Sequence, residues 1–350
     1  MRSESDEAST SRESGLGDIM GGGLLAIPNE LRATMCRFTP LQRVALSANG
    51  NLQRLVSSYY NLPVTVTTIY NRRVAYGTYE RKVKLSVKEI TFAVATSSLL
   101  TTREDCIKAI ETQGIAIGQM FRYFNILPQF KLLDAMQGEG TFSRRYQLCS
   151  EGVLADIEEA LQANLFALFP AKQHGGFAHE LNTLKLTPGL GDIMTTTVTA
   201  VEVPPGFTPM QRMLLTANGN VERIISAYYH CPVTSYVALN HRRESCVFDR
   251  QVSLLVRGQQ FMLAKSTIFV TSPEWEAQID QQDVPIGCMY RHMSVLPMFT
   301  LRCVGKGLSY FWRVYTLSAK GMTCEITETF SEDVFGMAAV ESCKESIGDL

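Results

Sequence analysis

The chain has 350 residues, with 33 Lys and Arg against 34 Asp and Glu, so its formal net charge is −1. That balance argues against a nucleic-acid or anionic-membrane partner, which would show as a basic excess, and no apolar run approaches the roughly 18 residues that span a bilayer. Nine cysteines without a C-x-x-C pair and five scattered histidines read as free thiols in a reducing compartment, with no metal and no other cofactor expected. The opening Met1-Arg-Ser-Glu-Ser-Asp-Glu7 lacks the apolar core of a secretory signal, so a soluble, cytoplasmic protein is expected.

The dominant feature is that the sequence contains itself twice. Phe38-Thr-Pro-Leu-Gln-Arg43 returns as Phe207-Thr-Pro-Met-Gln-Arg212, Ala48-Asn-Gly-Asn51 as Ala217-Asn-Gly-Asn220, and Tyr59-Tyr60 as Tyr228-Tyr229. Gly118 returns as Gly287, and Gly15-Leu-Gly-Asp-Ile-Met20 is echoed by Gly189-Leu-Gly-Asp-Ile-Met194. The unit is too long for a solenoid repeat, so each copy is expected to be a domain with its own core. The predicted organisation is a disordered leader over residues 1–28, a first copy over 29–165, a linker over 166–204 and a second copy over 205–345. Conservation of an ancestral twofold contact predicts that the copies pack as a pseudo-dimer.

In each copy Thr39-Pro40 or Thr208-Pro209 places a capping hydroxyl before a proline suited to the first helical position. Apolar residues then follow at helical spacing, and Asn49-Gly50 or Asn218-Gly219 ends that helix. A second helix is predicted from Leu52 to Tyr60 and from Val221 to Tyr229. After Pro63 and Pro232 the pattern becomes β-branched and alternating, as in Val64-Thr-Val-Thr-Thr-Ile-Tyr70. Hairpins are predicted from Tyr79–Val87 with Ile90–Thr101 and from Phe248–Val256 with Phe261–Val270. A helical stretch follows around 103–113 and 273–281, leading to Ile117-Gly118 and Pro285-Ile286-Gly287. Strands Thr141–Cys149 with Val153–Ala160, and Tyr310–Leu317 with Met322–Phe330, close the two units. Hairpin strands with helices inserted between them indicate an α+β fold with an antiparallel sheet.

Two residue types in these strands point to chemistry. Period-two alternation puts Arg250 on the face of Val252 and Leu254, and Arg81 on the face of Val83 and Leu85. An arginine facing a core requires an anion. Glu328, two residues after Ile326, also faces inward, and Glu159 is its counterpart. Pairing in a structural ion bridge is the competing explanation for such residues.

The ordered set Phe207-Thr-Pro-Met-Gln-Arg212, Ala217-Asn-Gly-Asn220, Arg250-x-Val-x-Leu254, Ala264-Lys-Ser266, Pro285-Ile-Gly287, Tyr315 and Glu328-Thr-Phe330 resembles the chorismate pyruvate-lyase family, and each copy covers the family domain. The resemblance implies a tandem duplication of a chorismate lyase-like domain, with the helix-turn-helix as a lid over a closed pocket. The implied activity is cofactor-free conversion of chorismate to 4-hydroxybenzoate and pyruvate. Arg250 and Arg81 match the arginine that binds the ring carboxylate. Glu328 and Glu159 match the glutamate at the oxygen-bearing end of the ring, which burial could keep partly protonated as a hydrogen-bond donor. Ile286 with Gly287, and Ile117 with Gly118, match a site that holds the carboxylate through backbone N–H.

The departures from the family pattern are Asn220 and Asn51, where it has threonine, and Lys265 and Thr96, where it has a mobile arginine beside the entrance. The first copy departs further, so residues 205–335 are the expected active copy. The alternatives are a diverged cyclase or isomerase of secondary metabolism and a non-catalytic small-molecule-binding protein, each with a small carboxylate as its partner.

Overall fold

The computed structural model describes residues 27–113, 120–121, 123–169, 198–199, 202–280 and 286–338. The helices are α1 (Asn29–Met35), α2 (Pro40–Leu46), α3 (Leu52–Tyr60), α4 (Glu104–Gln113), α5 (Pro209–Leu215), α6 (Val221–Tyr229), α7 (Pro273–Asp280) and α8 (Ile286–His292). The first half carries strands β1 (Val64–Ala75), β2 (Thr78–Val87), β3 (Ile90–Thr101), β4 (Gln129–Gln137), β5 (Thr141–Ser150) and β6 (Val153–Gln162). After the short β7 (Val198–Thr199), the second half carries β8 (Val233–Glu244), β9 (Val247–Val256), β10 (Gln259–Val270), β11 (Met298–Lys306), β12 (Tyr310–Ala319) and β13 (Met322–Ser331). The fold is α+β. It has two antiparallel sheets, ordered β4-β5-β6-β3-β2-β1-β7 and β11-β12-β13-β10-β9-β8. Among the described residues no helix is long and apolar enough to cross a membrane.

Local sequence explains the helix-turn-helix that opens each half. Thr39 accepts a bond from Gln42 N and Gln42 Oε1 accepts one from Thr39 N, a reciprocal cap repeated by Thr208 and Gln211. The pattern Thr-Pro-x-Gln therefore satisfies two helix-end donors, with proline in the first turn. Gly50 and Gly219 turn the chain between the helices at φ 84° and 66°, the left-handed region open to glycine.

The predicted hairpins are present, and the second is tighter than expected. Arg257 and Gly258 alone join β9 to β10, both at positive φ, the two-residue turn that matches strand twist. Strands β4 and β11 and helix α1 were not anticipated. Both strands are bulged, between Leu132 and Asp134 and between Leu301 and Cys303. A bulge breaks the period-two pattern by which a strand is read.

The boundaries move at the linker and the leader. Leu165 is buried, Tyr60 Oη donates to its carbonyl at 2.6 Å and Tyr59 Oη to that of Phe166 at 3.1 Å, so residues 165–169 belong to the first core. Further on, β7 pairs with Val64 and Thr65 of β1, and Asn61 exchanges two bonds with the backbone of Val203. Ile27, assigned to the leader, is buried; residues 1–26 and 170–197 lie outside the described residues.

The two halves meet through their opening helices, α2 against α6 and α3 against α5. Arg43 donates from Nε to Ala227 O at 2.9 Å and from Nη2 to Tyr228 O at 2.6 Å. Arg212 returns the contact from Nε to Ser58 O at 2.9 Å and from Nη2 to Tyr59 O. Each arginine also bonds a carbonyl of its own half, Phe38 or Phe207. Burial lowers the pKa of both guanidiniums and pushes that of Arg212 down to about 10. Arg212→Ala is therefore expected to destabilise the chain by about 3 kcal/mol through three carbonyls that lose a buried charged donor. The half-buried Arg43→Ala should cost less, and urea unfolding of the two variants gives the order.

Candidate functional site

Each half holds a partly open cavity of about 110 Å³ between its sheet and its own helix-turn-helix. Val83 and Leu85 of β2, Ala95 and Ser97 of β3 and Ile157 of β6 line the first, with Gly50, Leu52 and Gln53 covering it. The second is formed by Val252 and Leu254 of β9, Ala264 and Ser266 of β10 and Ile326 of β13, under Gly219, Val221 and Glu222. Both spaces are smaller than the roughly 150 Å³ apolar cavity that holds benzene, so a single ring fills either one and extends to its open side.

Register brings the expected arginine and glutamate of each half close together. Arg81 pairs with Ser97 and Glu159 with Ala95, so the two flank β3 two rungs apart. Arg250 and Glu328 flank β10 through Ser266 and Ala264 in the same way.

The two arginines differ in what they reach. Arg81 lines the first cavity and is half-buried; its Nε has no hydrogen-bond partner among the described residues, and desolvation lowers its pKa. Arg250 is 1% exposed and is not among the described residues that line the second cavity. Burial pushes the nearby Cys324 thiol up to about 12, against the opposing effects of the Tyr290 hydrogen bond and of the Arg250 charge. Tyr290 Oη lies 3.8 Å from Cys324 Sγ. Their counterparts in the first half, Phe121 and Ala155, line the cavity. The larger polar pair thus occupies the end of the second half where the first half leaves space. Arg81 thus lines the cavity of the first half, whereas the arginine that lines the cavity of the second half is Arg313.

Glu159 and Glu328 line their cavities, but each is tied to a neighbour that the sequence pattern did not single out. Arg144 stands directly across from Glu159 on β5 and β6, and Arg313 across from Glu328 on β12 and β13. Arg144 Nη2 lies 2.7 Å from Glu159 Oε2, and Arg313 Nε lies 2.7 Å from Glu328 Oε2, with both arginine side chains 0% exposed. The other carboxylate oxygen accepts from Tyr146 Oη at 3.1 Å or from Tyr315 Oη at 2.8 Å. Burial first, and then the adjacent glutamate, pushes both phenols well above their usual pKa, so each stays a donor. Neither oxygen of either glutamate is left without a donor, so the expected proton-donating glutamate is in this structure an acceptor. The arginines also reach the lid. Arg144 Nη1 donates to Leu46 O and Ala48 O, and Arg313 Nη1 to Leu215 O and Ala217 O. These carbonyls sit at the end of α2 and α5, where a cation satisfies orphan acceptors and the helix dipole.

The remaining candidates divide. Ile286 and Gly287 open α8 and line the second cavity, whereas Ile117 and Gly118 lie outside the described residues, as does Pro285. Lys265 is exposed and alternates with the cavity-lining Ala264 and Ser266, so it projects from the opposite face of the sheet. Thr96 is exposed in the same position between Ala95 and Ser97. Asn51 and Asn220 begin α3 and α6 and are buried, but neither is among the described residues lining a cavity. The Oδ1 atom of each has no hydrogen-bond partner among the described residues. No group of three His, Cys, Asp or Glu that could hold a metal occurs among the described residues.

Compared with known proteins, the chain matches no family model and no curated protein sequence.

The Arg144 to Glu159 pair makes a measurable prediction. Glu159→Leu strands a buried guanidinium and is expected to destabilise the chain by about 3–5 kcal/mol. Adding Arg144→Met should recover part of that loss. Stability should stay below that of the parent, because Leu46 and Ala48 lose their donor. A double-mutant cycle by chemical denaturation reads both effects.

Proposed function

We propose that the chain binds a small ring-bearing carboxylate in its first cavity and acts on it in the manner of the chorismate pyruvate-lyase family, as a tandem duplication whose halves are joined as a pseudo-dimer. The observation that carries this reading is Arg81: a desolvated guanidinium on the wall of a small pocket whose lining is part apolar and part polar. A cation held there is compensated when an anionic group enters, and a planar guanidinium meets a carboxylate with two parallel bonds. At the other end of the wall Tyr146 and Glu159 present hydroxyl and carboxylate oxygens, a polar end for a ring oxygen. Chorismate carries a ring carboxylate and an ether oxygen, and loss of pyruvate makes its ring aromatic. The enzyme then chiefly needs to desolvate and orient it. A substrate larger than one ring requires displacement of the lid residues Leu52 and Gln53. The reciprocal bonds of Arg43 and Arg212 support the pseudo-dimer reading.

A second reading, binding without turnover, is favoured by the engagement of both Glu159 oxygens by Arg144 and Tyr146. One experiment separates the two. The full-length protein is incubated with chorismate while 4-hydroxybenzoate is followed by absorbance, and benzoate binding is measured in parallel by calorimetry. Turnover is expected, and Arg81→Ala should reduce it about a hundredfold, the equivalent of two charged hydrogen bonds of about 1.5 kcal/mol each. Arg250→Ala should act through stability and leave KM unchanged. Loss of activity from Arg250→Ala in a folded protein, with Arg81→Ala silent, would overturn the assignment to the first cavity. Benzoate binding that depends on Arg81, without turnover, identifies the binding protein.

A further inference from the structure

The helices that wall the cavities also carry arginines directed into the opposite half. Helix α3 gives Leu52 and Gln53 to the first cavity, yet the next residue, Arg54, is 4% exposed and turned across the interface. Its Nη1 donates to Thr216 O at 3.2 Å, and its Cζ lies 5.8 Å from the ring centroid of Phe299 on β11. The Phe299 ring lies 5.1 Å from that of Tyr315, tilted by 39°, and Tyr315 Oη donates to Glu328 at the second cavity.

The same path runs in the other direction. Helix α6 gives Val221 and Glu222 to the second cavity, while Arg223, also 4% exposed, donates to Ser47 O at 3.3 Å and places its Cζ 5.2 Å from the centroid of Phe130 on β4. Phe130 lies 5.2 Å from Tyr146, tilted by 38°, and Tyr146 Oη donates to Glu159 at the first cavity. A guanidinium over a ring face is attracted by the ring quadrupole, most strongly where water is excluded. The aromatic pair is held in turn by its offset geometry. Among the described residues neither the arginines nor the phenylalanines line a cavity.

We propose that Arg54 and Arg223 are positioning residues in trans: each holds the aromatic support of the Tyr–Glu pair at the cavity of the opposite half, so that neither site is complete within its own half. The proposal rests on the reading of these cavities as ligand sites, but its test needs no ligand.

The test uses the full chain labelled with 3-fluorotyrosine, with the Tyr146 and Tyr315 resonances assigned through Tyr146→Phe and Tyr315→Phe. Arg223→Met is expected to shift the Tyr146 resonance and leave that of Tyr315 in place. Arg54→Met should shift Tyr315 and leave Tyr146, and Arg54→Lys and Arg223→Lys, which keep the charge, should move each resonance back toward its parent position. If a methionine variant fails to fold, Arg54→Gln or Arg223→Gln, which removes the charge and keeps a polar group, is read in its place, and the tyrosine that it shifts decides the matter. A shift confined to the tyrosine of the mutated half, equal shifts of both, or no shift overturns the proposal. Because benzoate does not enter this experiment, its failure to bind would count against the proposed function and leave the fluorine result unaffected.

Discussion

A guanidinium stripped of water has five donors to place, and where Arg144 and Arg313 place those of Nε and Nη1 organises each half of this protein. One edge meets a glutamate across the strand pair, and the other caps the last carbonyls of the first lid helix. The strut therefore joins three elements that nothing local in the sequence connects: two central strands and the helix-turn-helix above them. A cavity remains under the lid because the strut fixes the end of α2 or α5 over the sheet. The glutamate that lines the cavity is first of all the counter-charge of this strut, and any chemistry it performs has to be compatible with that duty.

The interface between the halves repeats the same solution. Arg43 and Arg212 donate to carbonyls at the far end of the partner's second helix, and Arg54 and Arg223 to carbonyls near the end of the partner's first. Helix termini expose unpaired C=O groups whatever their sequence, so an arginine on one half finds acceptors on the other without any specially matched side chain. The lids are thus held from below by the strut and from the side by each other.

Much of this was legible from pattern alone. The capped helices, the turn at Gly50 and Gly219, the hairpins and the inward-facing glutamates follow from periodicity and from a few conformationally special residues. The struts were legible in principle: Phe142, Arg144, Tyr146 and Leu148 alternate and are all buried. In the first strut the signal is masked because Arg144 is followed by Arg145, which is exposed and paired with Asp156, and a double arginine in a strand reads as surface; Arg313, between Trp312 and Val314, carries no such mask. Alternation also places Lys265 on the other face from Ala264 and Ser266, which strand geometry alone makes legible. Nothing local could have separated Arg81 from Arg250. The difference arises two strands and one helix away, where Phe121 and Ala155 are replaced by Tyr290 and Cys324.

Because the lids are pressed together, neither α3 nor α6 can lift from its cavity without disturbing contacts that belong to both halves. Lid movement is then a property of the joint and not of a single half. Small residues or a shortened connection at this joint would alter how often the cavities exchange their contents with solvent, even with every lining residue unchanged. Evolution of such a molecule can adjust traffic and recognition separately, the first at the seam between the halves and the second on the sheets behind it.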